Sequence, residues 1–187
     1  MHMVRFAILV SALMSIPILA CAQGRHVESL NFDWEFSRDS LFSNATHVDV
    51  PHDFQIEQPW VVPAKDEKAD NSDVAANIKS RLSARGFKEM GTGWYRKTLN
   101  YKKKGNTRTL LDFEGIMLVG DVYLNGHRIG GTDYGYVGFE IDVTKLLREG
   151  ENILTVKAHT MTERNSRWYT GGDLIRNVSM VTTPADL

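Results

Sequence analysis

The sequence predicts an all-β fold, an antiparallel sandwich or jelly roll interrupted by one short helical insertion. Three observations carry this expectation. Apolar and polar residues alternate in short runs: Leu111 and Phe113 around Asp112, Phe139, Ile141 and Val143 around Glu140 and Asp142, Leu154, Val156 and Ala158 around Thr155 and Lys157. Successive strand side chains point to opposite faces, so a period of two marks strands with one buried face. Turn residues divide the runs at regular spacing, and about eight strands so divided describe a sandwich. With 42% hydrophobic and 10% aromatic residues in 187, the chain also has the material for a packed core.

The chain opens on an export signal, residues 1–22. Arg5 supplies a positive start, and the apolar run from Phe6 to Ala20 is shorter than the roughly 20 residues that span a bilayer. Ala20-Cys21-Ala22 fits cleavage after Ala22, while Ile18-Leu19-Ala20-Cys21 fits a lipoprotein box that would lipidate Cys21. The expected location is therefore the periplasm or, through a lipid anchor, the cell envelope. Pro17 argues against a buried helix here.

Residues 23–187 read as a single domain. Further strands are expected over 30–36, 46–50, 94–101, 118–124 and 174–181. Lys104-Gly105-Asn106, Asn125-Gly126 and Glu149-Gly150-Glu151-Asn152 supply the turns, Asn-Gly being the strongest hairpin signal of the three. An insertion over 64–91 breaks this rhythm. Within it Val74, Ile78 and Leu82 recur every four residues, with Ser72 as N-cap and Gly86 as stop, which predicts a short amphipathic helix. Just before it, Gln58-Pro59-Trp60-Val61-Val62-Pro63 places Trp60 in a Pro-rich loop suited to the rim of a site.

Charge and motif content exclude several functions. The 22 Lys+Arg and 23 Asp+Glu give a net charge of −1, with no basic run longer than Lys102-Lys103-Lys104, so there is no footprint for nucleic acid. One cysteine cannot form an internal disulfide, and the six histidines show no metal-ligand spacing; His47 and His52 are the closest pair outside the signal. No nucleophile elbow, phosphate loop or dinucleotide fingerprint is present, so neither a metal nor a cofactor is expected. Gly130-Gly131 and Gly171-Gly172 read as turns, and Asp112, Glu114 and Asp121 as an outward strand face. The cluster Asn165-Ser166-Arg167-Trp168-Tyr169 is different. It joins aromatic faces, an amide and a guanidinium in one loop, a combination that stacks on sugar rings and bonds their hydroxyls. The alternative is that Trp168 and Tyr169 plug the end of the sandwich.

The blocks Phe32-Asp33-Trp34-Glu35-Phe36, Val50-Pro51-His52-Asp53-Phe54, Gly93-Trp94-Tyr95-Arg96-Lys97, Phe113-Glu114-Gly115, Val122-Tyr123-Leu124-Asn125-Gly126, Tyr134-Gly135-Tyr136, Gly150-Glu151-Asn152, Asn165-Ser166-Arg167-Trp168-Tyr169 and Arg176-Asn177-Val178 follow one another in a familiar order. Together they resemble the N-terminal sugar-binding domain of glycoside hydrolase family 2, particularly the β-galactosidase-like enzymes of gut Bacteroidetes. The resemblance implies a galactose-binding-like jelly roll packed against a separate (β/α)8 barrel. It assigns sugar contacts to Asn165, Ser166, Arg167, Trp168 and Tyr169, with His52, Asp53 and Trp60 on the rim and a β-galactoside as the carbohydrate. Trp94, Tyr95, Tyr123 and Phe139 are implied to pack, and Arg96 and Arg176 to serve as internal ion-pair or backbone partners. Gly172-Asp173-Leu174-Ile175-Arg176 departs from the pattern: Asp173 adds a charge, and Ile175 stands where relatives carry an aromatic.

In that family the catalytic glutamates lie on the barrel, the acid following an asparagine. This sequence has no Asn-Glu dipeptide and no βα repeat, so no catalytic residue is assigned and the chain alone is expected to be inactive. The barrel is expected in cis or from an adjacent reading frame. A free-standing surface carbohydrate-binding protein and a non-functional gene fragment are the competing expectations.

Overall fold

The computed structural model describes residues 24–59, 88, 91–160 and 171–185. The export signal with Cys21, Trp60, the helix expected near Val74–Leu82 and the loop Asn165-Ser166-Arg167-Trp168-Tyr169 lie outside them.

Among the described residues ten strands form two sheets: β1 (His26–Ser29), β2 (Trp34–Ser37), β3 (Thr46–Val48), β4 (Thr92–Tyr101), β5 (Thr107–Phe113), β6 (Val119–Leu124), β7 (His127–Thr132), β8 (Phe139–Asp142), β9 (Gly150–His159) and β10 (Val178–Pro184). One sheet runs β1-β10-β5-β8 and the other β3-β2-β4-β9-β6-β7. Every pairing is antiparallel. The expected all-β sandwich is therefore the observed one. The described helical segment is a single 3-10 turn, Phe54–Glu57, capped by Asp53.

The core lies between the sheets, and alternation builds it. Along β9, Asn152, Leu154, Val156 and Ala158 point inward while Ile153, Thr155, Lys157 and His159 point out. Along β4, Gly93, Tyr95, Leu99 and Tyr101 point inward. They meet Leu111 and Phe113 of β5 and Val178 of β10, all buried. Lys97 occupies an inward register on β4 but carries its ammonium out to the Phe32 carbonyl, its stem covering apolar surface on the way.

Expected strands are trimmed in the structure: the one over 46–50 stops at Val48, and two others begin later than expected. Residues 30–36 divide: after β1 the chain crosses from one sheet to the other, and β2 begins only at Trp34. Leu30 donates its amide to Val178 at 2.9 Å, Asp33 turns through a left-handed φ of 57°, and its amide bonds the Asp49 carboxylate at 2.8 Å. The strand expected over 174–181 begins at Val178, because residues 171–175 make a turn with one isolated bridge to Met117. Two strands had no clear signal: β1 is exposed at every position and so has no alternation, and β7 contains two glycines. Gly130 and Gly131 are accordingly not a turn. They lie within β7, Gly130 against the Ile141 side chain and Gly131 against the Gly120 carbonyl, where a side chain would not fit.

The hairpin between β6 and β7 is as its Asn-Gly requires. Asn125 and Gly126 have φ of 51° and 82°, the two positive values of a type I′ turn. Asn125 also reaches β9: its side chain donates to Asn152 Oδ1 at 3.0 Å and accepts the Ile153 amide at 3.0 Å.

Candidate functional site

One end of the sandwich collects the residues of interest. β4 begins there at Thr92, paired with His159 at the close of β9. Chain therefore enters and leaves this end at neighbouring antiparallel positions. Thr160 locks them: its amide and hydroxyl both donate to the Gly91 carbonyl at 3.0 Å, and its hydroxyl accepts from the Gln55 side chain at 3.0 Å. Lys88 donates its ammonium to the carbonyls of Ile56 and Gln58 at 2.8 and 2.7 Å. Gly171 lies beside the Asp53 carboxylate, and Gly172 is pressed against the Gln55 side chain. The residues flanking segments 60–87 and 161–170 are thus rooted on the same few side chains.

His52 and Asp53, expected on the rim, stand at this end, half-buried. The His52 amide donates to the Leu174 carbonyl at 2.8 Å, and its Nδ1 meets the Tyr95 hydroxyl at 2.8 Å. Burial holds the imidazole below its ordinary pKa against the pull of Asp53 and Glu57, so it is neutral near pH 7. Its ring also packs 4.8 Å from that of Phe36. Asp53 accepts the Gln55 amide at 3.0 Å and starts the 3-10 turn. The other expected sugar contacts, Asn165, Ser166, Arg167, Trp168, Tyr169 and Trp60, lie outside the described residues.

Asp173 does not add a surface charge. It is fully buried, and neither carboxylate oxygen makes a well-formed hydrogen bond, although the Tyr95 hydroxyl and the Phe54 amide lie close enough to act on it. Burial pushes its pKa well above the carboxylate range, and Asp53 adds to the shift. The Tyr95 hydroxyl, the Phe54 amide and Arg38 oppose it. Tyr95 is pushed up in turn by burial and by Asp173.

The residues implied to pack do so. Tyr95 is wholly buried, Phe139 stacks on Phe113 at 5.2 Å, and Trp94 lies 6.5 Å from Tyr123 across the outer face of the larger sheet. Arg96 clasps Glu35 through two hydrogen bonds of 2.6 and 3.0 Å, which hold the glutamate below its usual pKa. Arg176 differs from its expected internal role: it is exposed, forms no ion pair among the described residues, and lays its stem over Gly115. Asp121 pairs with Arg128 at 2.7 Å. Asp112, although on an outward face, is shifted upward by partial burial and by Glu140 and Glu114. His47 is taken by Asp33 at 2.6 Å, and among the described residues no group of three or more His, Cys, Asp or Glu is placed to hold a metal ion.

Gln55 and Thr160, both buried polar residues of this end, carried no signal of their own in the sequence. Gln55 follows His52-Asp53-Phe54 directly, and that adjacency was the available clue.

The chain matches the family model described as the glycosyl hydrolase 2 galactose-binding domain-like family over residues 80–173. A β-galactosidase of Bacteroides ovatus is 30% identical over 165 residues, covering 82% of this chain. A β-glucuronidase of Formosa agariphila is 33% identical over 107 residues, covering 49%. The crystal structure of a β-glycosidase from Bacteroides vulgatus superposes with a TM-score of 0.66 at 27% identity, covering 84% of this chain and 20% of that one. The chain spans only 18% of the first relative and 11% of the second. The two-sheet sandwich and the family match agree: the chain belongs to glycoside hydrolase family 2, as its galactose-binding-like domain.

Proposed function

We propose that this domain forms one wall of the sugar pocket of an exported β-galactosidase-like hydrolase, its catalytic glutamates supplied by a (β/α)8 barrel in cis or from an adjacent reading frame. The observation that supports this reading is the common rooting of two segments. Gly171, which follows the Asn165–Tyr169 cluster by two residues, lies beside the Asp53 carboxylate, and Lys88 holds the carbonyl of Gln58, which precedes Trp60 by two. The described residues that flank both segments assigned to sugar by resemblance are held at the end where His52 and Asp53 stand, and this supports the reading. Trp168 would stack on the sugar's C–H face, while Asn165, Arg167 and Asp53 would bond its hydroxyls. A retaining mechanism needs two carboxyl groups about 5–5.5 Å apart on either side of the bond. In this reading both come from the barrel, and the domain contributes binding and orientation. Residues 1–22 direct export, with the chain released after Ala22 or held through Cys21.

Reading the coding DNA beyond codon 187 for a barrel with Asn-Glu is the first test; unrelated sequence there would overturn the split-gene version. The assembled enzyme is then assayed on nitrophenyl β-galactoside and β-glucuronide. Galactoside is expected to be preferred, and Trp168→Ala to lower its kcat/KM by about tenfold or more. An unchanged kcat/KM removes this end from the pocket, and preference for the glucuronide reassigns the sugar.

A further inference from the structure

Asp173 combines three features at one position. Its carboxyl is fully buried, and neither oxygen makes a well-formed hydrogen bond. Its backbone has a φ of 77°, a left-handed conformation that residues other than glycine rarely adopt. Its side chain lies flat on Gly93 of β4, where a Cβ would come within 2.6 to 2.8 Å of three carboxyl atoms. An ionised carboxylate buried in this way is strongly disfavoured.

The turn is nonetheless seated. The Met117 amide donates to the Asp173 carbonyl at 2.8 Å, and the Asp173 amide to the Met117 carbonyl at 3.1 Å. The His52 amide bonds the Leu174 carbonyl at 2.8 Å, and Leu174 is buried in the core. These contacts form one small unit, and the state of one carboxyl acts directly against all of them.

We infer that the turn of residues 171–175 is a proton-operated latch, seated on the sandwich while the Asp173 carboxyl is protonated and released when it ionises. The groups facing that carboxyl fit the role. Tyr95, from β4, shares its hydroxyl with His52 at 2.8 Å, and its pull toward ionisation is smaller than the opposing push of burial. Asp53, from the segment after β3, is a second acid and disfavours ionisation. Arg38, beyond β2, is the cation facing it, yet its guanidinium is held by the Thr92 carbonyl at 3.2 Å and over the Phe54 ring at 4.1 Å. Met117, on the remaining side, brings no charge. The seated turn thus takes up a proton that the released turn gives to water. The latch would couple the rooting of both loop segments to pH, and it stands whether or not this end faces a sugar.

The test is amide hydrogen exchange on the full 187-residue chain between pH 5 and 8, corrected for intrinsic rates. Protection at Asp173, Met117 and His52 is expected to fall about tenfold per pH unit while one proton is linked to opening, with Val156 in β9 changing little. In Asp173→Asn the same three amides should be insensitive to pH. Should that variant fail to fold, Asp173→Gly, which suits the left-handed φ, replaces it. Infrared difference spectra between wild type and either variant should show a protonated carboxyl at neutral pH. Protection in the wild type as independent of pH as in the variant, or no such band, overturns the inference.

Discussion

Gly93 lies directly beneath the carboxyl of Asp173, so close that an ideal Cβ would sit 2.6 Å from Oδ1 and 2.8 Å from Oδ2. The two residues are 80 apart in sequence and constrain each other. Gly93→Ala is expected to destabilise the domain by about 2–3 kcal/mol, because the enclosed carboxyl has nowhere to move. Asp173→Gly removes the obstacle and should restore most of that loss. Urea unfolding of the two single variants and the double variant at pH 7 checks this as a coupling energy; additive effects would show that the contact does not matter.

Asn152 is the second constraint. Its buried side chain accepts from the Arg148 amide at 2.9 Å and from Asn125 at 3.0 Å, and donates to the Arg148 and Gly150 carbonyls at 2.8 and 3.1 Å. Asn152→Ala leaves several buried groups unpaired and is expected to cost about 3 kcal/mol. Asn125→Ala should cost less, and the pair less than the sum, as thermal unfolding of the three variants would reveal.

Trp34 is wholly buried and donates its indole N–H to the Leu30 carbonyl at 2.6 Å. This bond fixes the crossing from β1 to β2. Trp34→Phe removes the bond and leaves a cavity, an expected loss of about 2–4 kcal/mol. Denaturant midpoints measure it.

Acid should weaken the contact between β5 and β8. Asp142 is held down to about 2 by the Thr144 hydroxyl and by Arg108, at 2.6 and 2.8 Å. A folded pKa below the unfolded one contributes stability that is present above the ordinary aspartate range and is lost as pH falls toward 2. The side chain is 47% exposed, so solvent limits the contribution to under about 1 kcal/mol. Asp142→Asn should therefore be less stable than wild type at pH 7 and nearly equal to it at pH 2.

The strands that alternate were legible because burial on one face leaves a written period: β5, β8 and β9 fall where apolar residues recur every second position. The Asn-Gly hairpin was legible because its dihedrals demand those residues. β1, exposed on every side, and β7, with glycines packed against Ile141 and Gly120, carry no such period. Asp173 was legible as a departure but not as a buried one, since its burial depends on a glycine in a distant strand. Gln55 and Thr160 meet across 105 positions, and no local pattern records such a contact.

The pairing of Thr92 with His159 fixes more than a ladder rung. Because the two excursions spring from adjacent rungs of the same ladder, residues added to or deleted from either leave the sheet register untouched. The sandwich is a chassis that does not depend on what those two stretches contain, and a chimaera carrying residues 60–87 and 161–170 of a relative is expected to fold without rebuilding the core.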